Sequence, residues 1–321
     1  MRDLDRARGV LWGQAIGDAL GTTNEFDRNP IPLDDLKGGG PFCLEPGQVT
    51  DDTHMAICLA ESLAERGGYD AEDAARRYVA WSKRTFDIGN QTRATLSQVE
   101  RGVRALDAGR VVWEATKRDA AANGSLMRCS PLAVFFAEDA AALRRAALDD
   151  SSVTHGDPRC RLACAAFLAA IREALVGDAS PPSMLAAARR ELEGAASELK
   201  ETPVETAQAV ELLGEDLELA TMDDPGLGRE VYTKAGYVRV AFRLAFHALL
   251  HATEFDRDLL RVANLGGDAD TNAAIAGALL GARVGEKKIR ADWRERVERA
   301  CKKDPLWGDR YHPRRLFRVL G

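Results

Sequence analysis

Apolar residues recur along this chain at three- and four-residue intervals almost throughout. Leu4, Ala7, Val10 and Leu11 open one such stripe, and Met55, Ile57, Leu59, Ala60 and Leu63 mark a second. The same spacing predicts helices over roughly 70–84, 90–106, 158–176, 235–252, 255–263, 269–284 and 290–301. Alanine-rich stretches such as Ala163–Ala174 add helix propensity. No segment alternates apolar and polar residues between turn formers, as a half-buried strand would. The expected fold class is all-α, in one domain over residues 1–321.

Glycine adds detail to that pattern. Gly9, Gly13, Gly17 and Gly21 recur every four residues, as do Ala269, Ala273, Gly277, Gly281 and Gly285. A glycine inside a helix costs about 0.8–1 kcal/mol relative to alanine, so a row of them needs a packing reason. The i, i+4 row is one ridge of a helix, and stripping it of side chains lets another backbone approach. Both segments are therefore read as central helices. The stretch Asn29–Gly47, with four prolines and four glycines, is read as a long surface loop, a length that tends to carry function. Residues 191–224 hold eleven acidic side chains and a single lysine, Lys200. They are read as a solvated helical excursion or flap.

Composition narrows the function. Forty-four Lys and Arg against fifty Asp and Glu give a net charge of −6, which disfavours nucleic-acid and anionic-membrane partners, both of which select basic surfaces. The longest charge-free apolar run, Leu162–Ile171, is ten residues, about half a membrane span. The first residues are charged throughout, unlike a signal peptide. Six cysteines (43, 58, 129, 160, 164 and 301) include no Cys-x-x-Cys pair, so reduced thiols and a cytoplasmic location are expected. A monomer is adequate at this size.

Two acidic clusters carry the chemistry. Thr50-Asp51-Asp52-Thr53 precedes the stripe at 55–63, and Gly266-Gly267-Asp268-Ala269-Asp270-Thr271-Asn272 opens another helix. Taken singly, each is explained by N-capping and the helix dipole. Taken together, four carboxylates and two hydroxyls suit Mg²⁺ or Mn²⁺ rather than a soft metal. Other metal readings are weaker. His247 and His251 are spaced as in His-Glu-x-x-His, but Ala248 stands where the glutamate would. His155, Cys160 and Cys164 match no familiar zinc spacing, and the two cysteines read as core residues.

The run Gly13-Gln14-Ala15-Ile16-Gly17-Asp18-Ala19-Leu20-Gly21, followed by Glu25-Phe26, resembles the opening of the ADP-ribosylglycohydrolase family. The resemblance continues in order through Thr50–Thr53, Ile88–Arg93, Asn123–Arg128, Thr154-His155 and Gly266–Thr271. It spans nearly the whole chain. It implies a compact orthogonal helical bundle with two Mg²⁺ or Mn²⁺ ions at the base of a cleft. The implied ligands are Thr50, Asp51, Asp52, Asp268, Asp270 and Thr271, with Glu25 in a loop over the metals. Asp51, Asp52, Asp268, Glu25 and Asp87 are the implied catalytic carboxylates. Asn90, the Asn123-Gly124-Ser125 turn and His155 are expected to hold the substrate, the turn acting as an anion nest leading into a helix. Arg128 is read as a buried structural arginine.

The implied reaction is hydrolysis of the bond between ADP-ribose and its acceptor. An ADP-ribosylated protein modified on arginine is the expected substrate. The alternatives are a small conjugate such as an O-acyl-ADP-ribose, ADP-ribosylated serine or nucleic acid, and a non-catalytic ADP-ribose-binding or immunity protein. Three positions depart from the family pattern: Val49 where relatives often carry tryptophan, Asn272 where a small or aliphatic residue is usual, and Asn24 in a segment where Gly-x-Pro-x is frequent.

Overall fold

The computed structural model describes residues 1–301 and 308–321; the side chain of Cys301 lies outside the description. The first half is built from α1 (Leu4–Gly21), α2 (Asp51–Arg66), α3 (Ala71–Ser82), α4 (Asn90–Glu100), α5 (Ala105–Ala115), α6 (Ser130–Phe135) and α7 (Ala140–Thr154). The second half holds α8 (Pro158–Val176), α9 (Pro181–Ala196), α10 (Pro203–Leu219), α11 (Glu230–Thr233), α12 (Val238–Leu250), α13 (Phe255–Ala263), α14 (Ala269–Val284) and α15 (Ala291–Cys301). Among the described residues there is no strand, only two isolated bridges. The all-α expectation holds.

The two glycine ridges pack on each other. A Cβ added at Gly13 would stand 2.0 Å from the carbonyl oxygen of Gly277, one at Gly17 2.0 Å from that of Ala273, and one at Gly21 2.3 Å from that of Ala269. Gly9 meets Gly281 in the same way. As the number rises along α1 it falls along α14, so the helices are antiparallel and touch backbone to backbone. Theirs is the most extensive helix–helix contact among the described residues. It sets the C-terminal end of α1 beside the first turn of α14.

Several elements differ from the periodicity reading. The helix expected over 90–106 breaks after Glu100, where Gly102 takes φ +93°. It resumes at Ala105, whose N–H donates to Glu72. Helices α6, α7, α9 and α11 lie outside the segments expected from the periodicity. The buried face of α7 mixes Leu143, Leu148 and Val153 with Ala146, Ala147, Asp150, Ser151, Ser152 and Thr154, so polar residues interrupt its apolar stripe. Residues 191–224 are helical over most of their length. Here α10 buries Ala209, Leu213 and Leu217, together with Asp216, which accepts from Arg239 and Arg243 of α12.

The loop after α1 is irregular but anchored. The Asn24 side-chain amide donates to the carbonyls of Ile31 and Ala263, and its oxygen accepts from the Ile31 N–H. Leu33 exchanges two hydrogen bonds with the side chain of Asn264, and Trp293 and Arg296 both donate to Asp35. Asn24 and Val49, two of the three departures from the family pattern, are buried.

The α1–α14 contact leaves no room for a methyl group. Gly13→Ala should lower stability by about 3 kcal/mol or prevent folding, at the upper end of the overpacking range. Gly214, inside α10, faces open space, and Gly214→Ala should raise stability by roughly 0.5–1 kcal/mol. Denaturant unfolding of both variants checks the pair.

Candidate active site

Asp18 lies near the end of α1 and is fully buried. Its carboxylate accepts from Thr50 N–H (3.0 Å), Thr50 Oγ1 (2.9 Å), Thr53 N–H (3.1 Å) and Thr53 Oγ1 (2.5 Å). It therefore caps α2 from a different helix, and Thr50, the residue at the cap position, makes no side-chain capping bond of its own. Asp268 at the start of α14 makes none either. The capping explanation of the two acidic clusters is set aside by this geometry. Gln14, one turn earlier on α1, donates to the Asp52 carbonyl and accepts from Ser130.

The N-termini of α2 and α14 converge beside Asp18. Carboxylate oxygens of Asp18, Asp52 and Asp270 lie within 4.8 Å of one another, and so do those of Glu25, Asp87 and Asp270. Thr271 Oγ1 donates to Asp52 at 3.4 Å. Asn123 Nδ2 donates to Asp268 at 2.6 Å. At an effective dielectric near 20, two like charges at that separation repel by about 3–4 kcal/mol. Among the described residues, no Lys or Arg lines the adjoining cleft. Glu25 Oε2, Asp52 Oδ1 and Asp87 Oδ2 are buried without a hydrogen-bond partner. Seven carboxylates without a facing cation, three of them with an unpartnered oxygen, fit hard divalent cations.

Burial and mutual repulsion leave these groups reluctant to ionise. Burial, with the charges of Asp87 and Asp268, pushes Glu25 up to about 8. Asp18 is pushed up to about 6 by burial despite its four donors, and Asp87 to about 6 by burial and the charges of Asp18 and Asp268. Asp51, Asp52 and Asp270 are raised further by burial and their neighbours.

The cleft measures about 480 Å³. Its acidic lining is Glu25, Asp51, Asp87, Asp268 and Asp270, and its uncharged polar lining includes Gly89–Thr92, Asn123, Gly124 and His155. Arg128 is buried and bonded to Asp150, to the Gly124 carbonyl and to Thr154 Oγ1, as expected of a structural arginine. Thr154 Oγ1 in turn lies 2.8 Å from His155 Nδ1. Burial and the Arg128 charge hold His155 well below its ordinary value, so the ring is neutral. With Nδ1 accepting from Thr154, the ring proton is assigned to Nε2, which has no protein partner.

An ADP-ribosylglycohydrolase family model matches residues 1–317. The chain belongs to the ADP-ribosylglycohydrolase family. It is 33% identical over 305 residues to the ADP-ribosylarginine hydrolase Tri1 of Pseudomonas putida, covering 92% of this chain and 74% of that one. It is 30% identical over 302 residues to the ADP-ribosyl-[dinitrogen reductase] glycohydrolase of Rhodospirillum rubrum, covering 92% and 90%. A solved ADP-ribosylglycohydrolase-related protein complex superposes with TM-score 0.74 at 29% identity, covering 98% of each chain. Family members of this kind are hydrolases, and so is this chain.

Most residues expected at the site of this glycohydrolase converge there. Asp51, Asp268, Asp270 and Thr271 line the cleft, while Thr50 and Asp52 lie just behind it, fully buried. Glu25, Asp87, Asn90, Asn123, Gly124 and His155 also line it. Ser125 does not: its Oγ is buried and accepts from Ser151. The 123–125 turn does not open directly into a helix either, since α6 starts at Ser130. Besides the starts of α2 and α14, the start of α4 at Gly89–Thr92 borders the cleft. Asp18 and Phe26 were missed as site residues. Asp18 had a signal, since Gln14 and Asp18 are the only polar side chains between Val10 and Gly21.

The raised carboxylates make stability depend on pH in a definite direction. Over the interval from about 4 to about 8 the folded state holds protons that the unfolded chain has released, so stability falls as pH rises. The thermal midpoint of chelator-treated protein should drop between about pH 5 and about pH 8. Added Mg²⁺ or Mn²⁺ should reduce that drop, read by differential scanning calorimetry.

Proposed function

We propose that this chain hydrolyses the bond between ADP-ribose and an arginine side chain of a protein, reversing mono-ADP-ribosylation, with divalent cations bound among its carboxylates. The observation that carries the reading is one cleft lined both by clustered carboxylates and by uncharged hydrogen-bonding groups. Two relatives at 33% identity bear the name ADP-ribosylarginine hydrolase, which supports arginine as the acceptor.

Thr50, Asp51, Asp52, Asp268, Asp270 and Thr271 are the residues assigned to hold the ions. Thr50 gives its hydroxyl proton to Asp18, which leaves its oxygen lone pairs for a cation. A pair of Mg²⁺ or Mn²⁺ ions bound there would supply positive charge to the ribose hydroxyls and to the charge that develops as the bond breaks. Glu25 and Asp87 each offer the cleft wall a carboxylate with an unpartnered oxygen. Between them they move the protons: one taken from the attacking water, one given to the departing nitrogen. His155 Nε2–H, Asn90 and the backbone of Gly124 hold the diphosphate and ribose oxygens without bringing cationic charge. A side chain at Gly124 would crowd His155 and Thr92, whose atoms would lie 3.0 and 3.1 Å from its Cβ.

Release of free ADP-ribose from an arginine-linked substrate, with and without chelator, tests the reading. Serine-linked, O-acyl and nucleic-acid conjugates run beside it separate the acceptors. The parent should act on the arginine conjugate only when Mg²⁺ or Mn²⁺ is present. Asp87→Asn should lower kcat by roughly 10²–10⁴ and still take up metal by calorimetry. The double variant Asp268→Asn, Asp270→Asn should lose both metal uptake and turnover. If it worked as well as the parent, the metal assignment would be wrong.

A further inference from the structure

Beside Glu25, the lip of the cleft carries exposed apolar side chains among polar ones. Phe26 is 59% exposed, Ile31 51%, Tyr232 39% and Leu265 40%, unusual values for large apolar residues in a chain that buries so many. They come from three separate segments, and hydrogen bonds bring those segments together. Phe26 N–H donates to the Gly267 carbonyl. Asn24 ties Ile31 to Ala263, and the Leu33–Asn264 pair holds the same loop against the residue before Leu265. The Tyr232 hydroxyl sits over Gly266, 2.8 Å from where its Cβ would be.

Phe26 has φ +52°, a backbone state that aromatic residues seldom adopt. It is held there by its bond to Gly267, and its ring joins the rim to the cleft, whose wall it lines. Taking roughly 200 Å² for each large apolar side chain, the exposed part of the four amounts to about 400 Å². That is half of what one side of a standard stable interface contributes. It suits a surface that a substrate touches and leaves, not a lasting dimer.

We propose that Phe26, Ile31, Tyr232 and Leu265 form a docking rim for the protein part of the substrate, beyond its modified side chain. The proposal rests on the hydrolase reading and deepens it: the rim favours an ADP-ribosylated protein over a small conjugate. The occupant is fixed by continuity, because an acceptor whose ADP-ribose fills the cleft must bring its neighbouring surface against this lip. A free ADP-ribosylated amino acid reaches the cleft without touching Ile31 or Leu265.

The test compares two probes: ADP-ribosyl-arginine, and a folded protein carrying ADP-ribose on one surface arginine. The double variant Ile31→Ser, Leu265→Ser removes apolar surface at exposed positions away from the carboxylates. KM for the modified protein should rise about five- to tenfold, with kcat and the constants for ADP-ribosyl-arginine unchanged, and Leu265→Met should behave as the parent. Equal effects on both probes, or none on either, would overturn the rim. If the parent cleaves neither probe, the hydrolase reading is what fails. Fluorescence anisotropy of the modified protein against parent and variant then decides the rim: a weaker variant complex supports it and an equal one ends it.

Discussion

The most extensive helix–helix contact among the described residues is between two helix backbones that carry almost no side chains where they meet. Along Gly9, Gly13, Gly17 and Gly21 of α1, a single added carbon would fall about 2 Å from a carbonyl oxygen of α14. Because the two ridges share a four-residue period, they engage in one register, and a slide of one turn would shift every contact together. That register sets Asp18 beside the first turn of α14 and places Gly21 2.3 Å, measured from its would-be Cβ, from the Cα of Asp270. The site depends on it, since four oxygen-bearing segments meet where α1 ends.

Around that junction the protein assembles a group of acids that would be unfavourable anywhere else. Buried like charges repel strongly when water is excluded, and burial with neighbouring charges holds Asp51, Asp52 and Asp270 well above the ordinary carboxylate range. Part of the offset is structural: two helix N-termini point their positive ends at the cluster, and Asp18 is surrounded by four donors. No lysine or arginine lines the cleft among the described residues. The fully buried guanidinium of Arg128 is committed to Asp150 and to the turn carbonyl. It works at one remove, through Thr154, to fix the tautomer of His155.

The uncharged lining follows a different logic. A neutral imidazole, an asparagine and a glycine-bearing turn line the same cleft as the carboxylates, and they can meet oxygen-rich groups without adding charge. Under the proposed function the carboxylates would hold cations and move protons while these groups position the substrate. The proposed rim of Phe26, Ile31, Tyr232 and Leu265 would add an apolar surface at the mouth.

The sequence by itself determined the all-α class, since period and alanine content act locally. It also determined which segments were central, because a row of mid-helix glycines has no local justification and so announces a packing partner. The acidic clusters and their hard-ligand chemistry were legible in the same way. Only the tertiary structure decided that the two ridges pack on each other, and hence that Thr50–Thr53 and Asp268–Thr271 face one another across α1. Asp18 escaped notice as a site residue because its role lies in capping a helix 32 residues away, a relation no local pattern contains. Helix α7 escaped because aspartate, serine and threonine interrupt the apolar residues of its buried face, and the break at Gly102 because the apolar period runs on across it. Ser125 turned inward for the same kind of reason: which side of a turn faces a cleft is set by what packs behind it. Local composition fixes what each segment can become; how close two backbones can come fixes which of their side chains meet.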